Sequence, residues 1–391
     1  MTLNFLFLLS YLFISLSNAV EESPQLSQLP KEERPPFSWK RTSDYSSLFT
    51  SQEESALKNH ELQRISTNAL IIIKDDTILF EKYYNGFNPD QKQRLWSISK
   101  SFASVLIGIA EHKKLLTISS PVSRFYPEMK GKFSKKVTIE QLLTMSSGLS
   151  WLEGYESNPF KSHVVNMLYL ENQKDMASFV SSRPSSYRPG EFFRYSSGDT
   201  NLALGVLKRA IDDQSKYDNF PWSELFNPLG IKEATWEQDQ AGTFVGSSYL
   251  YLSPRSLARF ARLILNKGSW DEEQLLSPRF INKSLQVSPA SCFTKPSQRN
   301  RKYTYGFYWW LNSPCPEAPE TKAFKKLPDS LALALGHHGQ ILALFPQQNA
   351  IAIRLGADKK HPLDKEKWLN EVFSAIKKVP NLTEPKKKEN Q

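Results

Sequence analysis

Strand-forming sequence lies near both ends of this chain, and a long helical stretch separates the two. Early on, Leu70-Ile71-Ile72-Ile73 and Ile78-Leu79-Phe80 flank the polar turn Lys74-Asp75-Asp76-Thr77, which reads as a β-hairpin over residues 69–80. Further strand candidates come late, at residues 303–311, 331–335, 340–345 and 350–355, and their short links favour an antiparallel meander. Between about Pro121 and Gly246 the pattern is helices and loops punctuated by Pro and Gly. One sheet must therefore be assembled from both chain ends. The expected architecture is an α/β sheet domain made of residues 63–120 and 247–380, with a mainly helical lobe, residues 121–246, inserted between them. A cleft between the two is the natural place for a substrate.

Local signals fix several helix starts. Thr138-Ile139-Glu140-Gln141 is a capping box that opens a short helix, and Gly148 stops the segment. Ser253-Pro254 places an N-cap before a first-turn proline; Leu257, Phe260, Ala261, Ile264 and Leu265 give that helix its inner face, and Gly268 ends it. Residues 363–379 form a closing amphipathic helix. The polar segment 20–62 is expected to wrap the surface, and the Lys-rich tail, 381–391, to be disordered.

The first nineteen residues stand apart. Residues 3–16 are almost wholly apolar, and Ser17-Asn18-Ala19 offers small residues where a signal peptidase would cut. A secretory signal and an exported protein, periplasmic or secreted, are the expectation; an uncleaved anchor is the alternative. No later stretch is apolar enough to span a bilayer, so no stable membrane insertion is expected after cleavage. The net charge of +10 is spread over the chain with no dense basic stripe, and nucleic acid is not an expected partner. Cys292 and Cys315 are the only cysteines, and in an oxidising compartment they could close a loop. Whether they pair is left open by the sequence, as is the oligomeric state.

Chemistry enters at Trp96-Ser97-Ile98-Ser99-Lys100-Ser101-Phe102. Ser-x-x-Lys occurs three times in the chain, at Ser55, Ser97 and Ser374, but only Ser97 opens a long apolar helix. Residues three apart share a helix face, so Ser97 and Lys100 can point into one pocket. A serine hydroxyl is a weak nucleophile until a base takes its proton, and a desolvated lysine can be that base. The alternative is an ordinary helix start with serine as N-cap.

Two other segments fit acyl transfer. Tyr195, in Arg194-Tyr195-Ser196-Ser197-Gly198-Asp199, precedes an apolar helical run; beside a cationic lysine, which favours its phenolate, it can share the proton shuttle, or it is a surface tyrosine beside a Ser/Asp helix cap. Gly336-His337-His338-Gly339-Gln340 links two strand candidates, and a strand N–H such as that of Gln340 could complete an oxyanion hole with the N–H of Ser97. Adjacent residues of an extended strand face opposite ways, so His337 and His338 are not expected to grip one metal ion. With no HExxH and six histidines in all, no metal site is expected. A Gly-x-Ser-x-Gly elbow is absent as well.

Taken in order, Ser97-Ile98-Ser99-Lys100, Tyr195-Ser196-Ser197 and His337-His338-Gly339 resemble the three active-site motifs of serine β-lactamase-related hydrolases. The branch resembled is that of class C β-lactamases, DD-peptidases, β-lactamase-like esterases and aminohexanoate-oligomer hydrolases. Residues 138–149, 195–205, 227–236, 242–260 and 305–312 are also similar to family segments, so the resemblance covers about residues 65–378. It implies the β-lactamase/penicillin-binding-protein-like fold, an antiparallel sheet flanked by helices plus an all-α lobe. By position it implies Ser97 as nucleophile, Lys100 as base and Tyr195 as proton relay, with His337 and Gly339 edging the pocket. The N–H groups of Ser97 and Gln340 would hold the oxyanion, and no cofactor is implied. This chain departs from the pattern of β-lactamases of this branch at Ser197 (usually Asn), His337 (Lys) and His338 (Thr). The missing lysine and threonine help engage the carboxylate of a β-lactam, so small esters or amides are the expected substrates. A peptidoglycan DD-peptidase or β-lactamase, and a non-catalytic cell-envelope binding protein of the same fold, are the alternatives.

Overall fold

The computed structural model describes residues 37–51, 66–154, 162–293, 303–359 and 363–383. The signal-like segment, the Ser55 to Lys58 motif and the Lys-rich end of the tail lie outside them. An eight-stranded sheet organises the molecule. Its strands are β1 (Lys40–Arg41), β2 (Thr67–Lys74), β3 (Thr77–Tyr83), β4 (Thr304–Tyr305), β5 (Trp310–Leu311), β6 (Ala332–Gly336), β7 (Gln340–Phe345) and β8 (Ala350–Gly356), in spatial order β1-β3-β2-β8-β7-β6-β5-β4. The early hairpin and the late meander join where β8 pairs antiparallel with β2, Ile353 opposite Ile71 and Ala350 opposite Lys74. An early and a late segment of the chain thus meet at the middle of one sheet.

Both faces of the central strands are covered, which is why β2, β7 and β8 read as continuous apolar runs without alternation. On one face Leu70, Ile72, Leu333, Ile341, Ala343 and Ala352 pack against Trp368, Leu369, Val372 and Ile376 of the closing helix Lys365–Lys378. Across the other face runs the helix Pro254–Leu265, started by Ser253, whose hydroxyl accepts from the Ser256 N–H. The helix Ser99–His112 lies beside it, and Phe102 stacks on Phe260 with ring centroids 3.6 Å apart. Further out are the short helices Ile139–Leu143, His163–Tyr169 and Met176–Ser181, then Ser197–Ile211 and Gln214–Pro221. Thr138 and Gln141 form the reciprocal capping box.

Two expectations need correction. Residues 303–311 are not one strand. Gly306 and the left-handed Tyr308 (φ 62°) reverse the chain, so β4 and β5 pair with each other, Tyr305 opposite Trp310. A Cβ at Gly306 would stand 2.1 Å from the Ser284 carbonyl, so glycine is required for this close approach. Of the segment 20–62 the described residues are 37–51, and these do more than wrap the surface. Within it β1 adds to the sheet edge parallel to β3, and Phe49 is fully buried against Phe80, because an aromatic side chain that reaches the core gains more from burial than a surface position offers.

Candidate active site

Ser97 lies in a single 3-10 turn, Trp96–Ile98, that runs directly into the helix Ser99–His112. Trp96 before it takes φ 51°, a left-handed conformation uncommon for a bulky residue, and the strain sits beside the nucleophile candidate. Ser97 is partly accessible while Lys100 is 1% exposed. The Lys100 Nζ donates to Ser97 Oγ at 2.9 Å and to the Ser247 carbonyl at 2.9 Å. Ser247 is fixed in turn by its N–H, which donates to Asn201 of the helix Ser197–Ile211. Burial lowers the Lys100 amine to about 8, against a smaller upward pull from Glu153. An amine so placed is a competent base near neutral pH.

Tyr195 comes from the extended segment before the helix Ser197–Ile211, whose N-cap is Ser196, its hydroxyl accepting from the Asp199 N–H. The ring stacks on Trp310 of β5, centroids 5.2 Å apart, and Lys100 Nζ lies 5.0 Å from its centroid. Ser97 exerts a small downward pull on its hydroxyl. The expected phenolate is not what this surrounding favours. Burial first, and Glu153 second, push the hydroxyl well above its ordinary value, so Tyr195 is a phenol that carries its proton. Behind it, burial raises the Asp199 carboxyl to about 7 although Ser147 and Ser196 both donate to it.

The third segment abuts the first. A Cβ at Gly336 would stand 2.3 Å from the Leu95 carbonyl, and Trp96 meets the rings of both His337 and His338 edge-on at 5.4 Å. Residues 337–339 form a turn and not a strand, with His338 left-handed at φ 59°. The alternating-face expectation for the two histidines therefore fails, because the turn brings their ring centroids within 4.0 Å. Among the described residues no group of three or more His, Cys, Asp or Glu comes together as a metal site would require. Gly339 is left-handed (φ 82°), and a Cβ there would collide with Arg354 and Asp358 at 2.2 Å. The Gln340 side chain is buried and donates to the carbonyls of His337, His338 and Gly356.

Sequence reasoning missed Glu153. It follows Trp151 in a loop with no motif to mark it, yet Oε1 accepts from Ser197 Oγ at 2.5 Å and Oε2 accepts from the Ser197 N–H at 2.9 Å and from Trp151 Nε1 at 2.5 Å. The position where the resembled enzymes carry asparagine is thus occupied by a serine that holds a carboxylate. Cys292 and Cys315 are joined by a disulfide, Cα atoms 5.7 Å apart, at either side of the segment that carries β4 and β5.

A serine within reach of a buried amine and a phenol, in three segments of this order, is matched by what the chain resembles. Residues 55–373 match the sequence model of the Beta-lactamase family. The chain belongs to that family. A 6-aminohexanoate-dimer hydrolase of Paenarthrobacter ureafaciens is 21% identical over 306 residues, covering 76% of this chain and 74% of the relative. Among solved structures, an octameric penicillin-binding protein homologue from Pyrococcus abyssi superposes with a TM-score of 0.62 at 18% identity, over 85% of this chain and 77% of that one. EstCE1, a hydrolase with promiscuous acyltransferase activity, does so with 0.65 at 13% identity, over 84% and 98%. The fold is that of β-lactamases and penicillin-binding proteins, and this Beta-lactamase family member is in general terms a serine hydrolase.

Proposed function

We propose that the chain is an exported hydrolase that cleaves ester or amide bonds through an acyl-enzyme on Ser97. The observation that carries this reading is the 2.9 Å contact between Ser97 Oγ and the buried Lys100 amine. In the forward step neutral Lys100 takes the hydroxyl proton as Oγ bonds to the carbonyl carbon. The resulting oxyanion is met by the N–H groups of Ser97 and Gln340, on the two segments that approach at Gly336. When the tetrahedral adduct collapses, Tyr195 gives its proton to the departing alcohol or amine and is reprotonated from Lys100. Water then attacks the acyl-serine by the same path in reverse. A phenol held in its protonated form suits a donor to a leaving group.

Small neutral esters and amides are the substrates this pocket favours, since an imidazole at His337 offers a weaker hold on a carboxylate than an ammonium would. The named activity of one relative, hydrolysis of an aminohexanoate dimer, is cleavage of an amide bond. Export is supported by the signal-like first nineteen residues and by the disulfide, which persists in oxidising compartments.

Intact-mass measurement after treatment with a fluorophosphonate tests the reading. One adduct is expected on the native chain and none on Ser97→Ala. An adduct that survives that substitution would move the nucleophile elsewhere, and no adduct at all would favour a binding protein. Among substrates, a chromogenic ester should be cleaved faster than a cephalosporin or a D-Ala-D-Ala peptide; the reverse order would make a β-lactamase or DD-peptidase the better description.

A further inference from the structure

The proposed oxyanion hole draws its two N–H donors from separate parts of the chain. Ser97 follows the two-residue strand Gln93–Arg94, which pairs antiparallel with Leu250–Leu252, and Leu95 continues that pairing by donating to the Leu250 carbonyl at 2.9 Å. Gln340 opens β7, and the turn Trp96–Ile98 packs against both β6 and β7. Arg354 aims the peptide between Gly339 and Gln340, since it holds the Gly339 carbonyl at 2.7 Å and in a trans peptide the Gln340 N–H points the opposite way. Aim alone does not set the distance between the two donors.

Gln93 supplies the missing link. Its Nε2 donates to Gln340 Oε1 at 2.9 Å and to the Gly356 carbonyl at 2.5 Å, and its Oε1 accepts from Asn68 Nδ2 at 2.9 Å. Gln340 is 1% exposed, and its Oε1 also accepts from the Gly356 N–H at 3.1 Å. Its Nε2 faces the carbonyls of His337, His338 and Gly356. Only one orientation of each carboxamide satisfies this set: the Gly356 N–H must meet Gln340 Oε1, so Gln93 has to present its amino group there, and Asn68 its own to Gln93. A side chain four residues before Ser97 therefore grips the side chain of the residue that carries the second N–H.

Packing already joins the two segments at Gly336 and the Leu95 carbonyl. The bridge adds register, because hydrogen bonds on one carboxamide fix direction as well as distance. An oxyanion hole needs that precision, since both donors must stand about 3 Å from a position the oxygen occupies only in the transition state.

We infer that Gln93 is a positioning residue for the oxyanion hole, fastening the Gln340 side chain, and with it the Gln340 N–H, to the strand that leads into Ser97. This rests on the hydrolase reading of the same site and adds to it a residue outside the three motifs.

Gln93→Met, which keeps the length and removes every polar side-chain atom, tests it on the full chain. A neutral chromogenic ester reports turnover, and a neutral fluorophosphonate reports Ser97 attack without it. In the variant kcat/KM should fall about 30-fold through kcat, with KM within about twofold, and labelling should slow by a similar factor. Gln340→Ala keeps its N–H but cuts the same link, so its loss should be similar, and the double variant should be at most about twofold worse than the poorer single one. Should Gln93→Met fail to fold, Gln93→Glu decides with Gln340→Ala: it retains the acceptor for Asn68 but sets a carboxylate against two other acceptors, and should lose at least as much activity. A lowered melting temperature with kcat/KM and labelling unchanged leaves Gln93 a structural amide and overturns the inference. A loss confined to KM, or one that simply adds to that of Gln340→Ala, overturns it too. If the native chain turns over no ester while Gln93→Met slows labelling, the hydrolase reading falls and the positioning role stands. If native and variant turn over the ester equally, the positioning role falls and the hydrolase reading stands. A native chain that neither turns over nor labels overturns both.

Discussion

Two turns meet beside Ser97 and are held by opposite means. The turn from Ser97 to Lys100 is local: three residues of helix bring amine and hydroxyl to 2.9 Å, and one carbonyl, that of Ser247, steadies the amine. The turn His337–Gly339 is held from a distance. Arg354 on β8 donates to the Gly339 carbonyl at 2.7 Å and forms a buried ion pair with Asp358, at 2.7 and 3.0 Å. The Asp358 carboxylate also accepts from the Ser66 N–H, and its backbone carbonyl lies 2.8 Å from His338 Nδ1. Gln93 and Gln340 complete the lattice through the Gly356 carbonyl. One half of the site follows from helix geometry, and the other depends on a buried charge network. Damage to each half should therefore have a different signature.

The largest effect belongs to the local turn. Lys100→Ala should reduce kcat/KM by about a thousandfold or more, because the hydroxyl loses its base, while circular dichroism and the melting curve show a retained fold. A loss smaller than tenfold would break the comparison by placing the base elsewhere. The distant turn should fail through stability first. Asp358→Ala leaves the Arg354 guanidinium, 1% exposed, without its counter-ion, and a loss of about 3–5 kcal/mol is expected in denaturant titration. Replacing both partners together, Arg354→Met with Asp358→Leu, should recover much of that stability. Activity should not recover with it, since nothing then holds the Gly339 carbonyl. Recovery of both would mean that the turn stands without its brace.

The same contrast explains what can be read from the chain. The strands at both ends, the capping box at Thr138, the Ser253-Pro254 helix start and the Ser97 to Lys100 spacing are legible because each is written within a few neighbouring residues. The two-strand reversal at Gly306 is not, since its cause is the Ser284 carbonyl more than twenty positions away. Nor is the company of Tyr195: its protonated state follows from burial under Trp310 and from Glu153, neither of which has a spacing relation to it. Glu153 itself reads as loop. A carboxylate acquires meaning only when folding sets it against Ser197, and no periodicity records that contact. His337 and His338 mislead for a related reason, because a left-handed residue changes which way its neighbours face.

The smallest effect is a pH profile, and it sharpens the local half of the comparison. A base must be unprotonated to act, and burial lowers Lys100 from the ordinary amine value to about 8. The neutral fraction then rises from about a tenth at pH 7 to about half at pH 8, so kcat/KM for a neutral ester should climb about fivefold over that unit and level off above pH 9. Tyr195, pushed upward, keeps its proton throughout and contributes no falling limb in this range. Because Glu153 opposes the effect of burial on Lys100, Glu153→Gln should move the rising limb to lower pH. A limb near 10.5 would mean that the amine is solvated like any surface lysine. A flat profile would remove Lys100 from the proton path, and with it the reason for setting this turn apart from the other.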